Sequence, residues 1–343
     1  MVVARQAGVA LAKQAPNQLT AVVIGNDERM HVAWETDNGP WQGPVAFGEP
    51  VLPYSPDVAM ERQNHNQLTA AAAGDNGQLY VAWVVDNGPW QGPVPAGTRG
   101  VLEPKGSVAL GRQSDNQLTA VAIGHDQRMC VAWETDNGPW QGPVAFGEAS
   151  FIAGSPVGVA RQNPNQLTAL AVGEDGRMRV AWETNNGPWQ GPVAFGEDAL
   201  APVSGVAVKP QNDNQLTALA VGADGRMYVA WETDNGPWQG PVGFGDQGLF
   251  PSYAGIAAEK QNDNQLTAVA IGHDGRMHVA WETGNGPWQG PVAFGDAAFE
   301  PGSGIGLARQ NDGQLTAMAI GSDGHLHVAW ETDNGPWQGP VAI

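Results

Sequence analysis

The stretch Trp34–Pro44, which reads WETDNGPWQGP, is one of seven copies of a phrase that runs through the whole chain. Its first tryptophan recurs at intervals of 49 or 50 residues, and the second follows seven positions later in every copy. These pairs account for all 14 tryptophans of the 343-residue chain. A second phrase, QLTA, recurs in step with the first, from Gln18 to Gln314. Self-similarity at a fixed period of this length is typical of propellers and solenoids, so the repeat decides the fold.

Each repeat contains four short apolar runs separated by turn residues. In the fourth copy the runs cover Val157–Gln162, Gln166–Gly173, Arg177–Thr184 and Trp189–Phe195. Asp-Gly and Asn-Gly pairs between short apolar runs are strong signals for β-hairpins. The repeat therefore predicts four antiparallel strands joined by tight turns and followed by a looser link.

Two of the predicted strands indicate how the sheets are arranged. The second, around Leu167 and Ala169, is apolar on both faces, which is typical of a strand covered on both sides. The fourth contains Pro192, which cannot donate to a β-ladder and therefore favours an edge strand. Small sheets stacked face to face around an axis form a β-propeller, so we predict an all-β, seven-bladed propeller with four antiparallel strands per blade. A linear solenoid would need atypical end repeats, and neither end repeat is atypical.

We expect one domain, 1–343, in which each repeat forms one complete blade. Because the predicted blades begin with their first strand, the ring closes without exchanging strands between its two ends. Met1–Gln6 is left outside the repeats, and the sequence does not assign it a role in ring closure. The predicted repeats cover 8–48, 57–97, 107–147, 156–196, 205–245, 255–295 and 304–343.

Composition limits the classes of partner. The net charge of −19 argues against binding nucleic acid, because phosphate contacts need clustered lysine and arginine. No apolar run approaches the roughly 18 residues of a membrane span, so we expect no membrane insertion. Arg5 and Lys13 interrupt the apolar N-terminal segment, which therefore does not read as a signal peptide. These features favour a soluble protein that is cytoplasmic or released by a non-classical route.

The repeated phrase carries the residue types of a carbohydrate site. An indole packs against the apolar C–H face of a sugar ring, and a carboxylate accepts hydrogen bonds from neighbouring hydroxyls. Asparagine supplies a donor and an acceptor together. The links between repeats have diverged, whereas Glu-Thr persists in six of the seven copies. Because a carboxylate near the surface is not required for packing, this contrast favours a multivalent sugar-binding function.

The candidate binding residues are the two tryptophans, the glutamate, the threonine and the asparagine of each phrase. The second repeat has Val84 and Val85 in place of Glu-Thr, and PVPAG in place of PVAFG, so we expect its site to be impaired. The candidates are Trp34, Glu35, Thr36, Asn38, Trp41, Trp83, Asn87, Trp90, Trp133, Glu134, Thr135, Asn137, Trp140, Trp182, Glu183, Thr184, Asn186, Trp189, Trp231, Glu232, Thr233, Asn235, Trp238, Trp281, Glu282, Thr283, Asn285, Trp288, Trp330, Glu331, Thr332, Asn334 and Trp337.

The repeat length, the sevenfold count and the W-E-T…N-G-x-W-x-G-P phrase resemble the seven-bladed propeller lectins of Photorhabdus. The resemblance covers the whole chain. It implies binding of L-fucose or related galactose-like and O-methylated glycans, on cell surfaces or glycoproteins, in clefts between neighbouring blades. It also implies that no metal or cofactor is needed and that the chain forms a homo-oligomer. The near-identity of the copies is also compatible with recent duplication or with construction from a consensus.

Other functions are less favoured by the residues. Catalysis needs one asymmetric group of residues, whereas the glutamates of the phrase are repeated around the chain. The sialidase-type S-x-D-x-G-x-x-W motif is absent. The GEDG and GADG turns lack the alternating carboxylates of a calcium loop, so no metal site is expected. A propeller that binds proteins through its variable links, without binding sugar, remains an open alternative.

Overall fold

A computed structural model describes residues 8–53, 57–114, 116–212 and 214–343. These residues form 28 strands in seven four-stranded antiparallel sheets, which confirms the predicted seven-bladed propeller. Met1–Gln6, whose role the sequence left open, lies outside the described residues. None of the described segments is a helix long and apolar enough to cross a membrane.

Each blade consists of four strands that are consecutive in the chain and paired in that order. Blade 1 contains β1 (Ala10–Ala15), β2 (Gln18–Ile24), β3 (Met30–Thr36) and β4 (Gln42–Phe47). Blade 2 contains β5 (Ala59–Arg62), β6 (Gln67–Ala73), β7 (Leu79–Val85) and β8 (Gln91–Ala96). Blade 3 contains β9 (Val108–Ser114), β10 (Gln117–Ile123), β11 (Met129–Thr135) and β12 (Gln141–Phe146). Blade 4 contains β13 (Val157–Asn163), β14 (Gln166–Val172), β15 (Met178–Thr184) and β16 (Gln190–Phe195).

The remaining three blades repeat this arrangement. Blade 5 contains β17 (Val206–Asn212), β18 (Gln215–Val221), β19 (Met227–Thr233) and β20 (Gln239–Phe244). Blade 6 contains β21 (Ile256–Asn262), β22 (Gln265–Ile271), β23 (Met277–Thr283) and β24 (Gln289–Phe294). Blade 7 contains β25 (Ile305–Asn311), β26 (Gln314–Ile320), β27 (Leu326–Thr332) and β28 (Gln338–Ala342).

The second strand of each blade is covered on both faces, as its sequence predicted. In β18, Leu216, Ala218 and Ala220 pack towards blade 4, whereas Leu219 and Val221 pack towards blade 6. All five side chains are buried. Small residues on one face therefore meet larger residues of the preceding blade, which lets the sheets approach closely.

The fourth strand forms the outer edge of each blade. Strand β20 pairs only with β19 and carries Pro241 in its interior. The peptide bond between Gly240 and Pro241 is cis, as are its six counterparts. Val242 is half exposed on this strand. The edge position explains why a residue that cannot donate to the β-ladder is accepted there.

The ring closes through side-chain packing and hydrogen bonding between blades 7 and 1. The first strands β1 and β25 lie beside each other. Val9 and Ala21 of blade 1 pack with Met318 and Ile320 of blade 7. Among the described residues both blades are built from contiguous segments of chain, and no strand is exchanged between them, as the sequence predicted.

The turn between the third and fourth strands has two left-handed residues. In blade 5 these are Asp234 and Asn235, with φ angles of 56° and 58°, and the N–H of Gly236 donates to the carbonyl of Thr233 at 2.9 Å. Two consecutive residues of this kind define a type I′ turn. The sequence assigned the Asn-Gly pair to the turn, but the left-handed positions are Asp234 and Asn235, one residue earlier.

We predict that Asp234→Val lowers stability by about 1–2 kcal/mol, because a branched side chain is disfavoured in the left-handed region. Asp234→Gly is the matched control, since it removes the same charge, and Gly284 occupies the equivalent position of blade 6. Its stability should stay within about 0.5 kcal/mol of the parent. The stabilities of both variants are measured by thermal unfolding, monitored by circular dichroism. Equal losses in the two variants would contradict the turn assignment.

Candidate functional site

A ligand-sized cleft opens between neighbouring blades, on the side of their third and fourth strands. We name each cleft by its two blades, so that cleft 5/6 lies between blades 5 and 6. This cleft encloses about 460 Å³. Blade 5 contributes Gln211, Trp231 and Phe244 to its lining, and blade 6 contributes Glu282 and Trp288. Each site is therefore assembled from two consecutive blades.

The same construction recurs around the ring. Clefts 2/3, 3/4 and 7/1 enclose about 360, 370 and 550 Å³ and are lined by the equivalent residues. At the other three junctions the corresponding aromatic residues pack at the edge of the inter-blade core. These volumes lie within or near the range of small-molecule sites.

Stacked aromatic residues form one wall of most clefts. In cleft 5/6 the ring centroids of Phe244 and Trp288 are 5.3 Å apart, with an angle of 26° between the rings. Every tryptophan is half-buried, so each indole keeps part of its surface open to a ligand. An offset stack of this kind is a favourable aromatic geometry. The four other pairs are Phe47–Trp90, Phe146–Trp189, Phe195–Trp238 and Phe294–Trp337.

The two tryptophans of one phrase line different clefts. Trp231 lies in cleft 5/6, whereas Trp238 of the same phrase stacks on Phe195 in cleft 4/5. Glu232 also belongs to cleft 4/5, where it contacts Gln162 of blade 4. The repeated phrase predicts one site per repeat, but the structure groups the candidate residues by junction. Each phrase therefore contributes to two clefts.

The glutamates of the phrase are buried rather than near the surface. All six are only 1–2% exposed, although they reach the floor of the clefts. In cleft 4/5 the side-chain amide of Gln162 donates to Glu232 Oε1 across the junction. At four of the six junctions that carry a glutamate, its carboxylate therefore connects neighbouring blades. The same contact joins Gln63 to Glu134, Gln211 to Glu282 and Gln310 to Glu35.

The first-strand glutamine is a site residue that the sequence analysis missed. Gln211 Oε1 accepts hydrogen bonds from Gln215 Nε2 at 3.0 Å and from Thr217 Oγ1 at 2.8 Å. Its Nε2 group is thereby directed towards Glu282 of the next blade. The sequence did contain a signal, because a glutamine precedes the first turn in every repeat. The QLTA phrase supplies the glutamine and the threonine that donate hydrogen bonds to it.

The threonines and asparagines of the phrase lie at the rim. Thr233 ends β19 and is exposed, and Asn235 is exposed in the following turn. The asparagine side chains also bind the preceding blade. Gln211 Nε2 donates to Asn285 Oδ1 at 2.8 Å, and Gln63 Nε2 donates to Asn137 Oδ1 at 2.8 Å. The rim amides are thus held in fixed orientations beside the aromatic wall.

Burial changes the ionisation of the glutamates. It raises the pKa of Glu232 to about 7, although the backbone N–H groups of Asn235 and Gly236 oppose this shift. Burial raises the pKa of Glu35 and Glu282 as well. Glu232 Oε2 has no hydrogen-bond partner among the described residues, which is consistent with poor stabilisation of the charge. The sequence-based expectation of a fully ionised acceptor is therefore not met at neutral pH. Burial also raises the pKa to about 7 for Glu134, Glu183 and Glu331.

The departures of the second repeat fall in two different clefts. Val84 replaces the glutamate of cleft 1/2, where Gln14 Nε2 donates to the Asp86 carbonyl at 2.7 Å and to Asn87 Oδ1 at 3.1 Å. Ala96 takes the phenylalanine position of cleft 2/3, beside Trp140. Grouping by repeat predicts that both departures fall in one site, whereas the structure divides them between two. A third junction also differs, because Ile343 occupies the phenylalanine position of cleft 7/1.

A closed ring with an aromatic cleft repeated at its junctions is a β-propeller with several equivalent candidate binding sites. Among solved structures, the BP39L lectin from Burkholderia pseudomallei is 32% identical over 99% of both chains, with a TM-score of 0.94. The chain therefore belongs to the family of this β-propeller lectin. No protein-family model and no curated protein matches the chain.

More distant structures share the fold. A variant of the Aleuria aurantia lectin, solved in complex with Fucα1-6GlcNAc, has a TM-score of 0.61 and 13% identity over 100% of this chain and 96% of its own. AofleA from Arthrobotrys oligospora has a TM-score of 0.62 and 12% identity over 87% and 89% of the two chains. At these identities the likeness concerns the propeller architecture alone.

We predict that Glu232→Gln reduces the loss of stability that accompanies a rise in pH. The folded protein holds the Glu232 proton up to about pH 7, whereas the unfolded chain releases it near 4.5. The stability that this residue contributes is therefore present below pH 4.5 and lost as the pH rises through 7. Relative to the parent, the variant should gain on the order of 1–3 kcal/mol between pH 5 and pH 8.

Thermal unfolding at a series of pH values measures this difference. Glu174→Gln is the matched control, because Glu174 is exposed in a hairpin turn and the substitution removes the same charge. If the stability of both variants depends on pH in the same way, burial does not raise the pKa of the Glu232 carboxyl.

Proposed function

We propose that the inter-blade clefts bind L-fucose and related glycans, and that the ring engages fucosylated surfaces at several sites together. The observation that supports this most directly is the composition of each cleft. Two indoles from neighbouring blades border a cavity of sugar size whose floor and rim carry oriented amides.

The walls and the floor of the cleft have different functions in this proposal. Trp231 and Trp288 offer partly open aromatic faces to the C–H side of a pyranose. Gln211 and Asn285 offer amide groups that can exchange hydrogen bonds with ring hydroxyls. Glu282 is buried beneath them and acts as a positioning residue, because it accepts the hydrogen bond that fixes Gln211.

Fucose is favoured by the character of the aromatic wall and by likeness to other propellers. L-fucose is a 6-deoxy sugar, so it presents a methyl group that suits the apolar surface of Phe244 and Val242. The Aleuria aurantia lectin was solved with Fucα1-6GlcNAc, and SapL1 lectin was solved with α-methyl fucoside. The resemblance to the Photorhabdus lectins supports the same sugar class.

The repeated clefts compensate for weak binding at each one. A monosaccharide has too few atoms to bind tightly through a handful of contacts. Several linked sites that engage a multivalent surface can raise the overall affinity by a factor of 10²–10⁴. The proposed partners are therefore fucose-bearing glycans presented at high density, on cell surfaces or on glycoproteins. Binding of this kind uses protein groups alone, without a metal or cofactor.

We predict that crystals soaked in methyl α-L-fucoside show the sugar in the inter-blade clefts, with its ring against an indole. The substitution Trp288→Ala removes one wall of cleft 5/6 and should weaken that site at least tenfold, which corresponds to about 1.4 kcal/mol. Sugar should then be absent from cleft 5/6. Cleft 3/4, two junctions away, retains Trp133 and Trp189 and serves as the internal control in the same crystal.

A glycan array tests the proposal independently. Binding to fucosylated glycans that free fucose abolishes supports the lectin function proposed here. Empty clefts in the soaked crystals, together with an array that binds no glycan, would contradict the proposal and favour a protein-binding propeller.

A further inference from the structure

The three altered clefts are consecutive in the ring. Clefts 7/1, 1/2 and 2/3 carry Ile343, Val84 and Ala96 at positions that are aromatic or acidic elsewhere. Clefts 3/4, 4/5, 5/6 and 6/7 contain both tryptophans, the phenylalanine and the glutamate. The four complete clefts therefore form one unbroken arc, and the altered clefts form the other.

The phenylalanine affects the geometry of the second tryptophan. In the complete clefts the two ring centroids are between 4.8 and 5.5 Å apart. The rings remain within about 32° of parallel. This stack restrains the tilt of the indole that borders the ligand space. Ala96 has no ring to stack on Trp140, and Ile343 has no planar face to offer Trp41. The indole is therefore less restrained in clefts 2/3 and 7/1.

The valine affects the floor of cleft 1/2. Val84 is buried like the glutamates that it replaces, but it cannot accept a hydrogen bond. The amide of Gln14 turns instead to the Asp86 carbonyl and to Asn87. This cleft keeps the stacked pair of Phe47 and Trp90, so its aromatic wall is intact while its polar floor is rearranged.

We propose that the ring is functionally asymmetric, with the four complete clefts binding sugar more tightly than the three altered ones. This inference rests on the proposed function. The phenylalanine at the end of the fourth strand sets the affinity of each cleft by orienting the indole of the next blade. In clefts 4/5 and 5/6 the buried glutamate contributes as well, by accepting the hydrogen bond that orients the first-strand glutamine. The tight sites then lie side by side, so that one flank of the ring faces a glycan-bearing surface.

The sharpest test restores a missing ring. Ala96→Phe completes the wall of cleft 2/3, and Ala96→Leu is the matched control that adds bulk without a planar face. Each cleft contains two of the 14 tryptophans, so the indole N–H resonances report binding cleft by cleft. Single tryptophan-to-phenylalanine variants assign these resonances, and methyl α-L-fucoside is the titrant.

In the parent protein we expect the indoles of clefts 3/4 to 6/7 to respond at lower sugar concentration than those of the other three. Ala96→Phe should tighten binding at Trp83 and Trp140 by about two- to tenfold, whereas Ala96→Leu should leave it unchanged. Val84→Glu should tighten binding at Trp34 and Trp90 by a similar factor.

Each result has a definite meaning. Identical titration curves at all seven clefts would overturn the asymmetry while leaving the lectin function intact. Equal gains from Ala96→Phe and Ala96→Leu would show that bulk, rather than ring stacking, sets the affinity. If no indole responds to the sugar, the proposed function itself fails, and the asymmetry fails with it.

Discussion

Sheets that radiate from a common axis diverge with distance from it, and this divergence shapes the whole molecule. Small residues such as Ala218 and Ala220 let neighbouring sheets come close at the second strand. Farther out, the larger Trp231, Phe244 and Trp288 occupy the widening gap but do not fill it. Because the backbone cannot close the gap without bending the sheets, a cleft remains at the junction. The same geometry that creates the core of the fold thus creates its inter-blade clefts.

The junctions are also held by buried polar contacts, which are costly unless they are satisfied. Gln211 links four partners within its own blade and the next one. The raised pKa of Glu232 shows that burial of the carboxylate is only partly compensated. Such a contact links one blade to the next at four of the seven junctions. Cleft 1/2 shows that a blade pair also assembles with Val84 at this position.

Because each phrase serves two clefts, changes in one repeat spread to two sites. The first tryptophan and the phenylalanine face the following blade, whereas the glutamate and the second tryptophan face the preceding one. The substitutions of repeat 2 therefore alter clefts 1/2 and 2/3 in different ways. In the function proposed here the ring tolerates this divergence, since avidity would depend on several linked sites rather than on any one of them.

The sequence by itself determined the number of blades, the positions of the strands and the place of the fourth strand at the outer edge of each blade. Strand β13 covers Val157–Asn163, within one residue of its predicted bounds, and Pro192 lies on the outer strand as expected. Alternation along β19 puts Trp231 and Glu232 on opposite faces, a signal that grouping the residues of each phrase into one site did not use. Only the tertiary structure decided which neighbouring blade each face meets, how deeply Glu232 is buried and which glutamine it binds. The physical reason is that the direction of a side chain is a local property of its strand, whereas its burial and its hydrogen-bond partners depend on the sheet that packs against that strand.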